Sequence, residues 1–150
     1  MKDLSQVYVI GDIHGCKDLL ERIHKKIVKK SINVGGYKIL IYLGDYVDRG
    51  SKVKETIETI INFKPKNFKR IFIKGNHEQM LLDFVYRKSE SLTMWLYNGG
   101  AETLKSYCEN EISKDLANST FREYHIREKF CNHLPKRSEE HTSELQSHLN

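Results

Sequence analysis

Long apolar runs are missing from this sequence. No stretch approaches the roughly 18 apolar residues that a membrane-spanning helix needs, and the N-terminus lacks the apolar core of a signal peptide. Cysteine is also scarce: Cys16, Cys108 and Cys131 are widely separated and show no paired metal spacing. Such a pattern suits a reducing compartment rather than a disulfide scaffold. We therefore predict a cytoplasmic protein without a membrane partner.

The composition is that of a globular chain. A length of 150 residues with 39% hydrophobic residues fits one domain with its own core. The net charge of +5 comes mostly from lysines, which are dispersed rather than interleaved with aromatic residues as a base-stacking platform requires. We predict a solvated lysine-rich surface and no nucleic-acid partner. The alternative, a nucleic-acid binder, would show a steep salt dependence of binding.

Three short apolar runs predict β-strands, at residues 7–10, 39–43 and 71–73. Each run is continuous and rich in β-branched and aromatic residues, as expected of strands covered on both faces. A glycine-containing loop and then apolar residues at helical spacing follow each run. Strand, loop and helix repeated three times predict an α/β layered fold with a parallel sheet flanked by helices.

The pattern changes from about residue 91. Trp95, Leu104 and Tyr107 around an Asn98-Gly99-Gly100 turn predict short helices broken by the two glycines. A further amphipathic helix is predicted over about 119–134, ending before Pro135. Its predicted apolar face consists of Phe121, Tyr124, Phe130 and Leu134. No strand pattern is present after residue 74.

The three glycine-containing loops lie at the carboxyl ends of the predicted strands, the edge where ligands bind in open α/β sheets. They contain carboxylates, imidazoles, one amide oxygen and one guanidinium, and the carboxylates and imidazoles suit a divalent transition metal. Glycine permits positive φ and a close approach of the backbone. The loops are Gly11-Asp12-Ile13-His14-Gly15, Gly44-Asp45-Tyr46-Val47-Asp48-Arg49-Gly50 and Gly75-Asn76-His77-Glu78.

In order and position these loops resemble the three signature motifs of the metallo-dependent serine/threonine phosphoprotein phosphatases, within the calcineurin-like phosphoesterase superfamily. The resemblance covers roughly residues 7–110 and implies two divalent metal ions, with manganese favoured and iron or zinc as alternatives. It implies that Asp12 and His14 bind the first metal, that Asp45 bridges both, and that Asn76 binds the second.

The resemblance also implies the catalytic roles. His77 would be the general acid for the leaving alkoxide, and Asp48 would orient it and favour its imidazolium form. Arg49 would bind the substrate phosphate through its planar fork. A hydroxide bridging the two metals would attack directly, without a phospho-enzyme. For Asp48 a plain surface ion pair with Arg49 is the alternative.

Three functions follow as hypotheses. The substrate is predicted to be a phosphoprotein or a small phosphoester, with phosphoserine and phosphothreonine in proteins favoured. Asp48-Arg49, Glu78 and the segment of Trp95 with Asn98-Gly99-Gly100 look like short bacterial or phage protein phosphatases. A symmetrical dinucleoside tetraphosphate hydrolase is the alternative within the superfamily. The alternative of another class is an inactive fragment or binding module with a partial metal site.

Several residues near these motifs are predicted to have structural roles. Glu78 would cap the third helix, where a negative side chain complements the dipole. Cys16 would be a small packing residue, and the spacing of Cys131 and Arg137, which is that of cysteine-dependent phosphatases, is taken as coincidence. The remaining histidines are predicted to be exposed: His24, His125, His133, His141 and His148.

The last fourteen residues differ in composition from the rest. Residues 1–136 are rich in lysine and isoleucine, and residues 137–150 contain neither. The segment from Arg137 to His148 resembles the in-frame translation of a widely used sequencing adapter. The resemblance to the phosphatases also implies further metal-binding histidines and a second arginine, beyond those found here. We therefore predict an incomplete phosphoesterase domain over 1–136 and a non-native, disordered tail over 137–150.

Overall fold

The computed structural model describes residues 4–86, 91–108 and 123–134. Three parallel strands alternate with helices in its first half, and helices make up the rest. The strands are β1 (Leu4–Ile10), β2 (Tyr37–Tyr42) and β3 (Phe68–Phe72). The helices are α1 (Lys17–Ser31), α2 (Val53–Asn62), α3 (Asn76–Val85), α4 (Ser91–Trp95), α5 (Ala101–Cys108) and α6 (Glu123–His133), with a kinked π-helical segment, Leu96–Gly100, between α4 and α5.

The sheet has the order β1-β2-β3, and both neighbouring pairs are parallel. Ile10 is paired with Tyr42 and Tyr42 with Phe72, so the three strands end at the same level. This alignment confirms the predicted parallel α/β sheet flanked by helices. Because the strands end together, the loops that follow them meet at one edge.

One face of the sheet packs against α1 and α2. Leu40 and Tyr42 of β2 are fully buried there against Leu20 and Ile27 of α1 and Ile60 of α2. Apolar residues spaced three and four apart put one side of each helix on the sheet. This layer holds the strand ends in place.

The other face of the sheet differs from the prediction. Val7 and Val9 of β1 alternate with inward-facing residues and are 50% and 56% exposed, and Ile73 after β3 is 43% exposed. The expectation that these strands are covered on both faces is therefore wrong for the described part of the chain. A continuous apolar run shows that a strand tolerates burial on both sides, but packing decides which sides are covered.

A second core joins helices α3 to α6. Trp95, Phe84 and Phe130 are fully buried, with ring centroids 5.0 to 6.2 Å apart. In α6 the buried apolar residue beside Phe130 is Ile126, whereas Tyr124 is 54% exposed, so its assignment to the apolar face was wrong. Phe121 and the predicted first turn of this helix, residues 119–122, lie outside the described residues.

Some predictions fall on parts of the chain that are not described. These are the tail over 137–150, with Arg137, His141 and His148. Among the described residues, no helix combines the length and the apolarity that a membrane span requires, and no strand follows β3.

His24 is buried, which contradicts the prediction that it is exposed. Only 4% of the residue is accessible, its ring stacks on Phe63 with centroids 3.7 Å apart, and its Nε2 lies 2.9 Å from the Tyr42 hydroxyl. His24 is spaced four residues from Leu20 and three from Ile27, so it belongs to the buried stripe of α1 despite the lysines around it. His125 and His133 are exposed as predicted.

The burial of His24 makes stability depend on pH. Burial lowers the pKa of His24 to about 4 from an ordinary 6.5, so between these values only the unfolded chain binds the proton. The free energy of unfolding should therefore fall as pH drops from 6.5 to 4, by up to about 3 kcal/mol from this group. Urea denaturation in EDTA across this range should show a shallower pH dependence for His24→Gln than for the wild type. His125→Gln, on an exposed helix position, should keep the wild-type slope, and equal slopes for all three proteins would contradict the prediction.

Candidate metal and phosphoester site

The loops after the three strands, at residues 11–15, 44–50 and 75–78, converge at one edge of the sheet. The amides of Ile13 and His14 donate to the Asp45 carbonyl at 3.0 and 2.9 Å, and the Gly15 amide donates to the Tyr46 carbonyl at 3.0 Å. These hydrogen bonds lay the first loop against the second. The convergence that the strand pattern predicted is thus made by the backbone itself.

The second and third loops are joined by the Glu78 carboxylate. Its Oε2 accepts the amides of Asp45 at 2.7 Å and Gly75 at 2.9 Å, and its Oε1 accepts the amide of Tyr46 at 2.8 Å. The bond from Gly75 confirms the predicted cap of α3. The bonds from the second loop show that the same side chain also fixes the position of that loop.

Four non-glycine residues of these loops have left-handed backbone conformations, with φ between 43° and 71°. Such conformations are uncommon outside glycine. Each costs about 1–3 kcal/mol, so it persists only where contacts with the surroundings compensate for the cost. The residues are His14, Asp45, Asp48 and Arg49. Strain is therefore concentrated where the predicted chemistry lies.

One group of side chains could hold a metal ion. The ligand atoms of His14, Asp45 and His77 all lie within 4.8 Å of one another. The His14 Nδ1 lies 2.9 Å from the Val47 carbonyl, which can only accept, so its Nε2 presents a lone pair. A carbonyl that orients the imidazole in this way is usual for metal-binding histidine. Two imidazoles and a carboxylate fit a divalent transition metal.

Of the other predicted ligands, Asp12 is not part of that group, and Asn76 directly precedes one of its members, His77. Asp12 is exposed in the first loop, two residues after the end of β1, and Asn76 is exposed at the first residue of α3. His77 belongs to the group geometrically, although the resemblance assigns it to acid catalysis. The roles of all these residues remain predictions.

His77 and Asp48 form a buried pair. The His77 Nδ1 lies 2.7 Å from Asp48 Oδ2, and the two residues are 2% and 0% exposed. A surface ion pair between Asp48 and Arg49 does not fit this burial. Asp48 also accepts hydrogen bonds from the Trp95 indole and the Thr103 hydroxyl.

Arg49 lies over the two imidazoles. Its Nη1 is 3.1 Å from His14 Nε2, and its Nη2 is 3.1 Å from His77 Nε2. Its backbone amide donates to the Gly99 carbonyl at 3.1 Å. The Asn98-Gly99-Gly100 turn, which the sequence predicted as a break between two short helices, therefore also supports the second loop.

The sequence profile of the family described as calcineurin-like phosphoesterase matches residues 5–148. The chain belongs to the calcineurin-like phosphoesterase family. This match confirms the resemblance on which the site prediction was based. It does not by itself separate the substrate classes within the family.

Several curated proteins are similar to the chain over 59–66% of its length. It is 33% identical over 99 residues to serine/threonine-protein phosphatase 1 of Salmonella typhimurium, covering 66% of this chain and 41% of that protein. It is 37% identical over 100 residues to serine/threonine-protein phosphatase PP1-delta of Caenorhabditis elegans, covering 59% and 30%. It is 32% identical over 99 residues to the asymmetrical bis(5'-nucleosyl)-tetraphosphatase PrpE of Anoxybacillus flavithermus, covering 63% and 40%. The aligned part thus spans less than half the length of each of these relatives.

Within this calcineurin-like chain, sequence reasoning missed two residues that contact the site. Thr103 has no motif around it, and only its contact with Asp48 reveals its importance. Trp95 was noticed for the turn that follows it, not for its bond to Asp48. The one tryptophan of the sequence, four residues before the Gly99-Gly100 pair, is a weak sequence signal for a hydrogen bond to the site.

The Glu78 carboxylate should contribute strongly to stability. Glu78→Gln replaces one acceptor oxygen by a donor that faces backbone amides, so we expect a loss of about 1.5–3 kcal/mol of unfolding free energy, as for hydrogen bonds to charged groups. Glu102→Gln is the matched control, since Glu102 is partly exposed and forms an ion pair with Lys105 of the same helix, and it should cost at most about 0.5 kcal/mol. Equal denaturation midpoints for the two variants would contradict the proposal that Glu78 stabilises the fold by joining the second and third loops.

Gly44 should not tolerate a side chain. It has φ +107°, and a Cβ there would lie 2.3 Å from the Gly75 nitrogen, whereas a Cβ at Gly11 would meet nothing within 4 Å. Gly44→Ala should therefore lower the free energy of unfolding by more than about 1 kcal/mol. Gly11→Ala, at the glycine that precedes the aspartate of the first loop, should change the free energy of unfolding little. If both variants unfold at the same urea concentration, the predicted clash at Gly44 is wrong.

Proposed function

We propose that this chain carries the catalytic loops of a metal-dependent phosphoesterase that hydrolyses phosphomonoesters, with phosphoserine and phosphothreonine in proteins as substrates. The observation that carries the proposal is the buried His77–Asp48 pair beside the His14 and Asp45 ligand atoms. A general acid next to a metal position is what the departure of an alkoxide requires.

Asp12, His14, Asp45 and Asn76 would hold two divalent ions, with manganese favoured over iron or zinc. When bound, such ions supply Lewis-acid stabilisation of phosphoryl charge and activate water for in-line attack. Asp45 has the central place because it lies next to both His14 and the start of α3, where it accepts the His77 amide at 3.1 Å.

His77 acts as the general acid in this proposal. Asp48 accepts Nδ1–H, and Nε2 faces the Arg49 Nη2 at 3.1 Å. A proton on Nε2 would pass to the departing oxygen once the guanidinium has turned from the ring to the phosphate. Arg49 binds two phosphoryl oxygens through its fork. Because its guanidinium lies 3.1 Å from His77 Nε2, a phosphate bound to Arg49 would lie next to the acid.

Two substrate classes are candidates, because the relatives include both protein phosphatases and a dinucleoside tetraphosphatase. The protein phosphatases support phosphoserine and phosphothreonine, as do Asp48-Arg49 and Glu78 in the motifs. PrpE, an asymmetrical enzyme by name, supports a dinucleoside tetraphosphate hydrolase as the second candidate but not the symmetrical kind that the sequence suggested. A fold shared by both cannot decide between them, because substrate choice depends on residues around the site.

The test compares turnover of p-nitrophenyl phosphate, a phosphothreonine peptide and diadenosine tetraphosphate with added Mn²⁺. In a protein that also contains the further metal-binding histidines and the second arginine implied by the resemblance, we expect the two monoesters to be hydrolysed and Asp45→Asn to abolish both turnover and Mn²⁺ binding. His77→Asn should retain Mn²⁺ but lower kcat by about 10²–10⁴-fold, most for the alkyl ester with its poorer leaving group. His125→Asn, on the exposed side of α6, is the control.

Other outcomes would change the assignment. Loss of Mn²⁺ from His77→Asn with turnover retained would make His77 a ligand and not the acid. Hydrolysis of the tetraphosphate alone would favour the nucleotide hydrolase. Mn²⁺ binding without turnover of any substrate would favour a binding module.

A further inference from the structure

We propose that Trp95 and Thr103 are positioning residues that hold the Asp48 carboxylate on His77. The inference rests on the proposed function, in which His77 is the acid. Neither side chain belongs to the three loops, since both come from the helical layer formed by α4 and α5.

Every oxygen of the Asp48 carboxylate has a defined partner. Oδ1 accepts the Thr103 hydroxyl at 2.6 Å, Oδ2 accepts His77 Nδ1 at 2.7 Å, and the Trp95 indole N–H lies 2.9 Å from both oxygens. A fully buried carboxylate is held only where such donors replace water. With Oδ1 occupied by Thr103, Oδ2 is left facing the imidazole.

Thr103 also fixes the backbone at Asp48. The Thr103 Oγ1 accepts the Asp48 amide at 2.9 Å while its hydrogen goes to the carboxylate of the same residue. Asp48 has φ 71°, a strained conformation that needs support from its surroundings. One hydroxyl therefore holds both the backbone and the side chain of Asp48.

The Trp95 indole is itself immobilised. It packs against Phe84 and Phe130, with ring centroids 5.0 and 6.0 Å away, and is fully buried. A Cβ on Gly100 would lie 2.5 Å from the indole, so the second glycine of the turn makes room for the ring. The donor that reaches Asp48 is thus rigidly placed.

The neighbouring arginine explains why such a support is needed. Arg49 is the next residue, and arginine and carboxylate pair strongly through two parallel hydrogen bonds. Without Thr103 and Trp95, a carboxylate in this loop could turn toward that guanidinium instead of the imidazole. Both Asp48 and Arg49 would then be lost to the reaction.

The first test removes one hydroxyl. Thr103→Val keeps the shape of the side chain, and Thr103→Ser keeps the hydroxyl as the matched control. With the phosphothreonine peptide, whose alkoxide leaving group needs the acid, and Mn²⁺, Thr103→Val should lower kcat about 10–100-fold, as for other residues that orient a catalytic or ligating group. KM and Mn²⁺ content should stay within about twofold of the wild-type values, and Thr103→Ser should recover most of kcat.

The second test needs no turnover. Trp95 is the one tryptophan of the sequence, so its indole N–H gives a single ¹H–¹⁵N signal, and the His77 ring nitrogens report whether Nδ1 carries the proton. Thr103→Val should shift the indole signal and weaken the Nδ1–H signal, and Thr103→Ser should restore both. If Thr103→Val does not fold, Trp95→Phe removes the indole donor but keeps an aromatic ring. A weaker His77 Nδ1–H signal in that variant would support the positioning role, and an unchanged signal would contradict it.

These readouts separate the two proposals. Unchanged kcat and unchanged His77 and indole signals in Thr103→Val, with only a lower melting temperature, would overturn the positioning role. An unaltered kcat in His77→Asn would overturn the proposed acid, while the nuclear magnetic resonance signals would still show whether Thr103 and Trp95 orient Asp48.

Discussion

The site depends on one carboxylate that binds backbone amides from two loops. Ionised glutamate has about four acceptor positions, and Glu78 uses three of them for the amides of Asp45 and Tyr46 in the second loop and of Gly75 before α3. These amides lie in a turn and at a helix N-terminus, where no regular partner exists. Because His77 directly precedes Glu78, the same hydrogen bonds place His77 beside Asp45.

The structure has two layers with different tasks. The sheet with α1 and α2 brings the loops to one edge and supplies His14 and Asp45. The helices α3 to α6 supply His77, the indole and hydroxyl that bind Asp48, and the carbonyl of Gly99 that binds Arg49. The strained loop between β2 and α2 lies between the layers, so each left-handed residue in its second half has a partner from the helical side.

Fold and family are better determined than substrate. Proteins named as protein phosphatases and as a tetraphosphatase are both similar to this chain, and one fold can serve more than one substrate class. This explains why family membership, which the motifs predict well, leaves the substrate as a proposal.

The sequence alone determined the order of strands and loops and the types of side chain at the sheet edge. Those features follow from short-range patterns: apolar runs, glycines after strands, and a glutamate in the first turn of a helix. Only the tertiary structure decided that His24 is buried, that Val7 and Val9 are half exposed, and that Trp95 and Thr103 reach Asp48. The last two contacts join residues 47 and 55 positions apart, and such contacts depend on how helices pack, which local periodicity does not encode.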